Sequence, residues 1–240
     1  MQSGPLLSTK AGTPEYPTRF LYLPQGTSRF EKIGTLQKYP KDTVIIEPGE
    51  IPQCCYAVKK GCIIGYEYNE GGDERVYDVQ MMGSLMLEAL LFMNGGRGIP
   101  SPVYFKAVKN SELIRIEKHA LIREMQEDPR LTLDIIESIS NKFFSAMDQL
   151  RELKCHDTEW RLCNLLRMFS DCYGVPHDTK KIIIAEKISQ QTLSNLLGVN
   201  RISITRIMKK LRDMGLVEQI NGYYCITDID KLKRHLDFLG

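Results

Sequence analysis

No apolar run in this chain of 240 residues approaches the ~20 that a bilayer-spanning helix needs. The amino terminus also lacks the charged start and apolar core of a secretory signal, and its Ser, Gly, Thr and Pro content through Tyr16 predicts a mobile arm over residues 1–20. Together these absences predict a cytoplasmic protein that does not engage a membrane. Seven cysteines, an odd number at irregular spacing, fit a reduced compartment better than a disulfide framework. Cys54, Cys55 and Cys62 make a poor metal set, because neighbours on a strand face opposite ways and no fourth ligand is near. They read as buried thiols, as do Cys155, Cys163 and Cys172 at spacings of eight and nine. His119 and His156 stand alone. A phosphate-cradling loop, zinc-ligand spacing and a Gly-x-Ser-x-Gly nucleophile are all missing. The chain therefore reads as a non-enzyme, with no catalytic residue, metal or cofactor assigned.

Charge excess is lacking overall, with 32 Lys and Arg against 30 Asp and Glu, and this makes its local distribution informative. From Lys180 to Arg212 there are eight Lys or Arg and one acidic residue, Glu186. Inside this stretch Ser189 predicts an N-cap, Leu193, Leu196 and Leu197 form one apolar stripe, and Gly198 permits the left-handed backbone of a short turn. Asn200 can cap a second helix whose Ile204, Ile207, Met208 and Leu211 face inward, with Gly215 as the stop. The outer face is then Arg201, Ile202, Ser203, Thr205, Arg206, Lys209 and Lys210. A solvated basic helix would show the same face, but a basic patch on a near-neutral chain is the footprint of phosphate binding. Arg206 is expected to read a base, and Lys180, Lys181 and Lys209 to contact phosphate. Just downstream, Val217 to Ile226 reads as a hairpin around Asn221-Gly222. The pattern predicts a winged helix-turn-helix within residues 154–240, partnered by double-stranded DNA.

Short β-branched and aromatic runs alternate with turn signals over the first half of the chain, predicting an antiparallel sandwich or barrel within residues 21–128. The strand candidates are 43–46, 55–58, 63–68, 75–80, 104–107 and 111–116. Asp128 and Pro129 then open one long helix over 129–153. Along it Ile136, Phe143 and Leu150 recur at heptad spacing, with Ile139, Ala146 and Leu153 at the complementary positions. Packing against the chain's own sandwich would need only one stripe, and Leu133 and Met147 lie off this seam. The helix is therefore read as carrying one stripe for its own domain and a second, through Ile136, Ile139, Phe143, Leu150 and Leu153, for a parallel homodimer. A further helix is expected from Thr158 to Tyr173.

A β-rich domain, a long helix and a winged helix-turn-helix in this order resemble the Crp/Fnr family of bacterial transcription regulators, from about Leu21 to the end of the chain. Glu47-Pro48-Gly49, Lys60-Gly61, Gly71-Gly72-Asp73 and Met82-Gly83 match its glycine-punctuated β-roll, and Leu197-Gly198-Val199 with Thr205-Arg206 match its helix-turn-helix. The resemblance implies an α+β fold built from a cyclic-nucleotide-binding-like jelly roll, a dimerisation helix and a winged helix-turn-helix, with Arg201, Ile202, Thr205 and Arg206 as base-reading positions and RNA polymerase as a partner. Where cAMP-binding members carry Gly-Glu and Arg-Ser, this chain has Leu87-Glu88 and Ser101-Pro102. Losing that arginine disfavours a cyclic nucleotide. No cysteine precedes Cys54, which disfavours the iron-sulfur cluster of oxygen-sensing members. Ile202 stands where many members have glutamate, a feature shared with the halophenol-responsive regulators of reductive dehalogenation (CprK type), whose phenolate-binding lysine is replaced here by Glu88.

The leading expectation is thus an effector-responsive dimeric regulator of an A·T-rich inverted-repeat operator, its unidentified small molecule bound between β-roll and long helix. Glu88, Met86, Tyr66, Tyr77 and Tyr104 are the candidate effector contacts, with Met81, Met82 and Tyr68 as further lining. A constitutive architectural DNA binder and an enzyme with a DNA-binding tail are the rival readings.

Overall fold

The computed structural model describes residues 27–240, so the arm expected over residues 1–20 lies outside the described residues. The sensor half contains β1 (Thr35–Tyr39), β2 (Val44–Ile46), β3 (Cys54–Lys60), β4 (Cys62–Tyr68), β5 (Glu74–Met81), β6 (Leu85–Met86), α1 (Glu88–Gly96), β7 (Tyr104–Ala107) and β8 (Ser111–Glu117). Its strands form two four-stranded antiparallel sheets, in the orders β1-β8-β3-β6 and β2-β7-β4-β5. Strand β3 is buried on both faces. Cys54, Tyr56 and Val58 point into the core between the sheets with Ile63 and Phe105, whereas Cys55 and Ala57 point to a second core. That second core is closed by Leu121 of α2 (Lys118–Glu127) and by Leu131 and Ile135 of α3 (Pro129–Cys155). This explains how two adjacent cysteines facing opposite ways are both buried. Gly61, at φ +105°, turns β3 into β4 where a Cβ would lie 2.6 Å from Ser111 Cβ and 2.7 Å from its Cα, so no other residue fits.

Helix α3 starts as expected. Asp128 accepts from Arg130 N, Pro129 occupies the first turn, and Arg29 pins the start by ion pairs to Asp128 (2.6 Å) and Asp134 (2.9 Å). Its buried positions, Leu131, Ile135, Ser138, Ser145 and Glu152, form the stripe that packs on the chain's own domains. Leu133, Ile136, Phe143, Phe144, Met147, Leu150 and Leu153 are exposed together on another face. Two expectations change here. Ile139 is half-buried against the sensor core, and Leu133 and Met147 belong to the exposed stripe rather than to the buried one. A helix period of 3.6 drifts off a strict heptad along so long a helix, so the wide face collects residues on both sides of the seam.

The last part comprises α4 (Thr158–Tyr173), β9 (Gly174–Pro176), β10 (Ile182–Ile184), α5 (Gln190–Leu197), α6 (Arg201–Asp213), β11 (Val217–Ile220), β12 (Tyr223–Ile226) and α7 (Ile229–Leu239). Its strands form a third sheet in the order β11-β12-β10-β9. Asn221 (φ +53°) and Gly222 (φ +84°) make the tight turn of the β11–β12 hairpin. One apolar core gathers Leu162, Phe169, Leu193, Ile204, Met208 and Leu232, and also takes in Cys62 and Met81 from the sensor. Strands β1, β6, β9 and β10 and helices α1, α2 and α7 fell outside the expected elements. Among the described residues no helix is long and apolar enough to cross a membrane.

Candidate DNA-reading face and effector site

Helices α5 and α6 are set by local capping chemistry. Ser189 Oγ accepts from Thr192 N at 2.9 Å, Gly198 takes φ +64°, and Asn200 Oδ1 accepts from Ile202 N (2.8 Å) and Ser203 N (3.3 Å). Ile204, Ile207, Met208 and Leu211 are buried, and Gly215 at φ +65° ends the helix. The buried Arg161 guanidinium of α4 donates to Leu197 O at 3.1 Å, tying down the carbonyl end of α5. The outward face carries Arg201, Ile202, Thr205, Arg206 and Lys209, with Ile202 77% exposed and Ser203 half-buried. Thr205 Oγ1 donates to Gln190 Oε1 at 2.6 Å, so part of this face is already held in register with α5.

Not every cation of the basic stretch is available. Lys181 pairs with Glu218 of β11 at 2.8 Å, Lys180 with Asp228, the N-cap of α7, at 3.6 Å, and Lys210 turns back to Glu159 of α4 at 2.7 Å. The hydrogen bond that Lys181 donates to Glu218 raises the Lys181 pKa and lowers that of Glu218. Arg201, Arg206, Lys209 and Arg212 have no carboxylate partner among the described residues, so the positive charge concentrates on α6. If Asn200 sets the start of that helix, Asn200→Ala should cost about 0.5–2 kcal/mol of stability by chemical denaturation, while Asn200→Asp should retain most of it.

Glu88 opens α1 and is fully buried. Its Oε1 accepts from Ser138 Oγ (3.0 Å) and Lys142 Nζ (2.5 Å), both on α3, and Lys142 also donates to Leu85 O at 2.6 Å. Glu88 Oε2 has no hydrogen-bond partner among the described residues. The preceding Leu87 sits at φ +69°, a left-handed conformation that costs a side-chain-bearing residue about 1–3 kcal/mol. Ser138 and Lys142 were not foreseen. The available signal was their place on the α3 stripe that does not carry the exposed apolar residues.

The other effector candidates do not join Glu88. Met86 is fully buried in the core between the sheets. Tyr66 and Tyr104 stack at 5.3 Å with Lys106 over the Tyr66 ring, on the opposite sheet face from Phe105 and Ala107, which fill the core. Plain alternation from Ile63 puts Tyr66 on that face, directly opposite Tyr104 in the regular β4–β7 pairing, while the β4–β5 register slips beside it with Tyr77 as the extra residue. Tyr68 joins this cluster edge-on, Tyr77 is exposed and bonds Glu67, Met81 points into the DNA-binding core, and Met82 is exposed. Of the expected effector contacts, Met86, Tyr66, Tyr77 and Tyr104 therefore share no site with Glu88. Ser101 is buried and donates to Val103 O at 2.7 Å.

Burial pushes the Cys62 thiol up to about 11, Cys163 to about 12 and Cys55 well above the usual thiol range. Cys155 corrects the expectation of a core thiol, since it is exposed at the end of α3. His156 is not isolated but stacks on Trp160 at 3.7 Å. No group of three or more His, Cys, Asp or Glu that could hold a metal ion occurs among the described residues.

A closed β-roll, a long helix with an apolar outer face and a capped basic recognition helix define an effector-responsive, DNA-binding transcription regulator. Residues 161–235 match the Crp-like helix-turn-helix domain, and residues 36–128 match the cyclic nucleotide-binding domain. The chain belongs to the Crp/Fnr family of transcription regulators. It is 24% identical over 187 residues to the anaerobic regulatory protein of Bacillus subtilis (strain 168), covering 78% of this chain and 77% of that protein. It is 23% identical over 183 residues to the cAMP-activated global transcriptional regulator CRP of Haemophilus influenzae (strain ATCC 51907 / DSM 11121 / KW20 / Rd), covering 76% and 79%. Its fold is similar to that of OCPA-complexed CprK, with a TM-score of 0.68 at 16% identity over 89% of this chain and 95% of that one. FixK2 from Bradyrhizobium japonicum gives a TM-score of 0.69 at 15% identity over 86% and 97%.

Proposed function

We propose that two copies of the chain join along α3, read an A·T-rich inverted repeat through α6, act on transcription through RNA polymerase, and change DNA affinity when a small molecule enters beside Glu88. The observation that carries this reading is the outer face of α6, where Arg201, Arg206 and Lys209 lack carboxylate partners among the described residues and flank the exposed Ile202. Support for the effector position is the Glu88–Lys142–Ser138 cluster. It bridges the sensor to the helix of the dimer face, and it leaves one carboxylate oxygen in a buried site without a partner among the described residues. A ligand that re-pairs this carboxylate or its lysine changes how α3 sits on α1, and it shifts the protein only by its differential affinity for the two arrangements.

Selecting bound sequences from a random DNA pool tests the DNA reading. The expected outcome is an inverted repeat with half-site centres about one helical turn apart, and a pool with no enriched motif would refute it. Measuring operator affinity with a chlorinated phenol and with cAMP probes the effector. cAMP is expected to have no effect at submillimolar concentration, because Ser101-Pro102 offers its phosphate no cation, and a response to cAMP would overturn that part.

A further inference from the structure

Part of the outer surface of β4 and β5 is covered by the DNA-binding domain. Cys62 and Met81 enter the core of the DNA-binding domain, Tyr173 Oη lies 2.8 Å from the Met81 sulfur, and Arg75 donates to Val199 O in the helix-turn-helix turn at 3.5 Å. These contacts do not fill the junction. They leave a cavity of about 260 Å³, open on one side to solvent, with Ile64, Val76 and Val79 on the sheet side and Leu165, Phe169 and Leu196 on the helix side. None of its lining residues belongs to the Glu88 cluster.

Two acidic and two basic side chains line the same space, and one of the acidic ones is paired with a lysine from outside the lining. Glu74 is paired with Lys106, and Lys109 with Glu186 at 3.4 Å. Lys187 remains, an exposed side chain at the rim with no carboxylate partner among the described residues, its ammonium resting 5.4 Å from the centre of the Tyr223 ring just outside the lining and within a side-chain rotation of the cavity mouth. Apolar walls with one uncompensated cation suit an anion with an apolar body. At ~30 Å³ for each water-sized group, the space holds on the order of ten non-hydrogen atoms.

We propose that this junction is a second ligand site, separate from Glu88, for an aliphatic or aromatic monocarboxylate of that size, its apolar body between Val79 and Phe169 and its carboxylate at Lys187. Thr192, Asn195 and Leu196 of α5 line the cavity, and α5 carries α6 through the turn at Gly198. An occupant that touches both domains binds only their docked arrangement, so mass action favours that arrangement and the placement of the DNA-reading helix that goes with it.

Octanoate is the probe, with octanol and octylamine as its uncharged and cationic counterparts, titrated into the full chain by calorimetry and thermal unfolding. Octanoate is expected to bind saturably and to raise Tm by several degrees at a hundredfold excess over Kd. Octanol should bind at least tenfold more weakly, and octylamine not at all. Lys187→Gln, at an exposed position, should weaken octanoate about tenfold and leave octanol unchanged, and Val79→Trp should fill the cavity and abolish both. The proposal is overturned if octanoate fails to bind, if octylamine binds equally well, or if octanoate binding survives in folded Val79→Trp. Should Val79→Trp fail to fold, an undiminished octanoate affinity in Lys187→Gln overturns it just as well. Because the readout is binding to the chain without DNA, failure here leaves the DNA-reading proposal standing.

Discussion

Replacing Phe143 and Leu150 together with glutamate is expected to turn the protein into monomers by sedimentation, while circular dichroism stays that of the folded chain. Both side chains already face solvent in the isolated chain, Phe143 with 60% of its surface, so the change removes nothing from its own core. With Leu133, Ile136, Phe144, Met147 and Leu153 they form a continuous apolar face along α3, of a kind that soluble monomers seldom leave uncovered. Burying one such side chain against a partner contributes about 1.5–3 kcal/mol, and a two-fold axis counts each of them twice. Four carboxylates brought together along that axis would reverse the gain. Operator affinity should then fall on the order of 10²–10⁴-fold, because two linked half-site contacts become two independent ones. A dimer that survives the double substitution would place the interface elsewhere.

How much of this was legible in the sequence depended on how local the physics is. Ser189, Gly198, Asn200 and Asn221-Gly222 act within a few residues of themselves, and each does in the structure what its chemistry predicts. Pro129 and Asp128 mark the start of α3 for the same reason. Where the partner is far along the chain the reading stopped short. Glu88 was singled out, but Ser138 and Lys142, fifty and fifty-four residues away, were not. Lys180 and Lys181 looked like free cations because their carboxylates lie on β11 and before α7. Tyr66 and Tyr104 failed differently. Alternation along a strand does not say which face is interior, and Tyr66 and Tyr104, paired directly across β4 and β7, both fall on the face away from the core. Strands β9 and β10, three residues each, are too short to show any alternation.

The largest change in DNA specificity is expected at Ile202. Its backbone N–H is already taken by the Asn200 cap, so its side chain is free to project from the first turn of α6, and it is the most exposed apolar residue of that helix. Against DNA an aliphatic tip can pack on the C5-methyl of thymine but offers no acceptor to the amino group of cytosine, so exchanging that thymine for cytosine should weaken binding by about 1–3 kcal/mol. Arg206 lies one helical turn further on, exposed and without a carboxylate partner among the described residues, and its fork can bind guanine O6 and N7 together. Arg206→Ala should therefore cost about 1–3 kcal/mol on the selected operator and relax preference at one position per half-site, whereas Lys209→Ala should weaken all sequences alike and flatten the salt dependence. Ile202→Glu supplies the missing acceptor and should move the preferred base at its position from thymine toward cytosine. Selection from one random pool with the parent protein, Ile202→Glu and Arg206→Ala decides between base reading and mere charge. If all three recover the same half-site, neither side chain faces the bases, and the specificity of α6 must come from the shape of the DNA rather than from its edges.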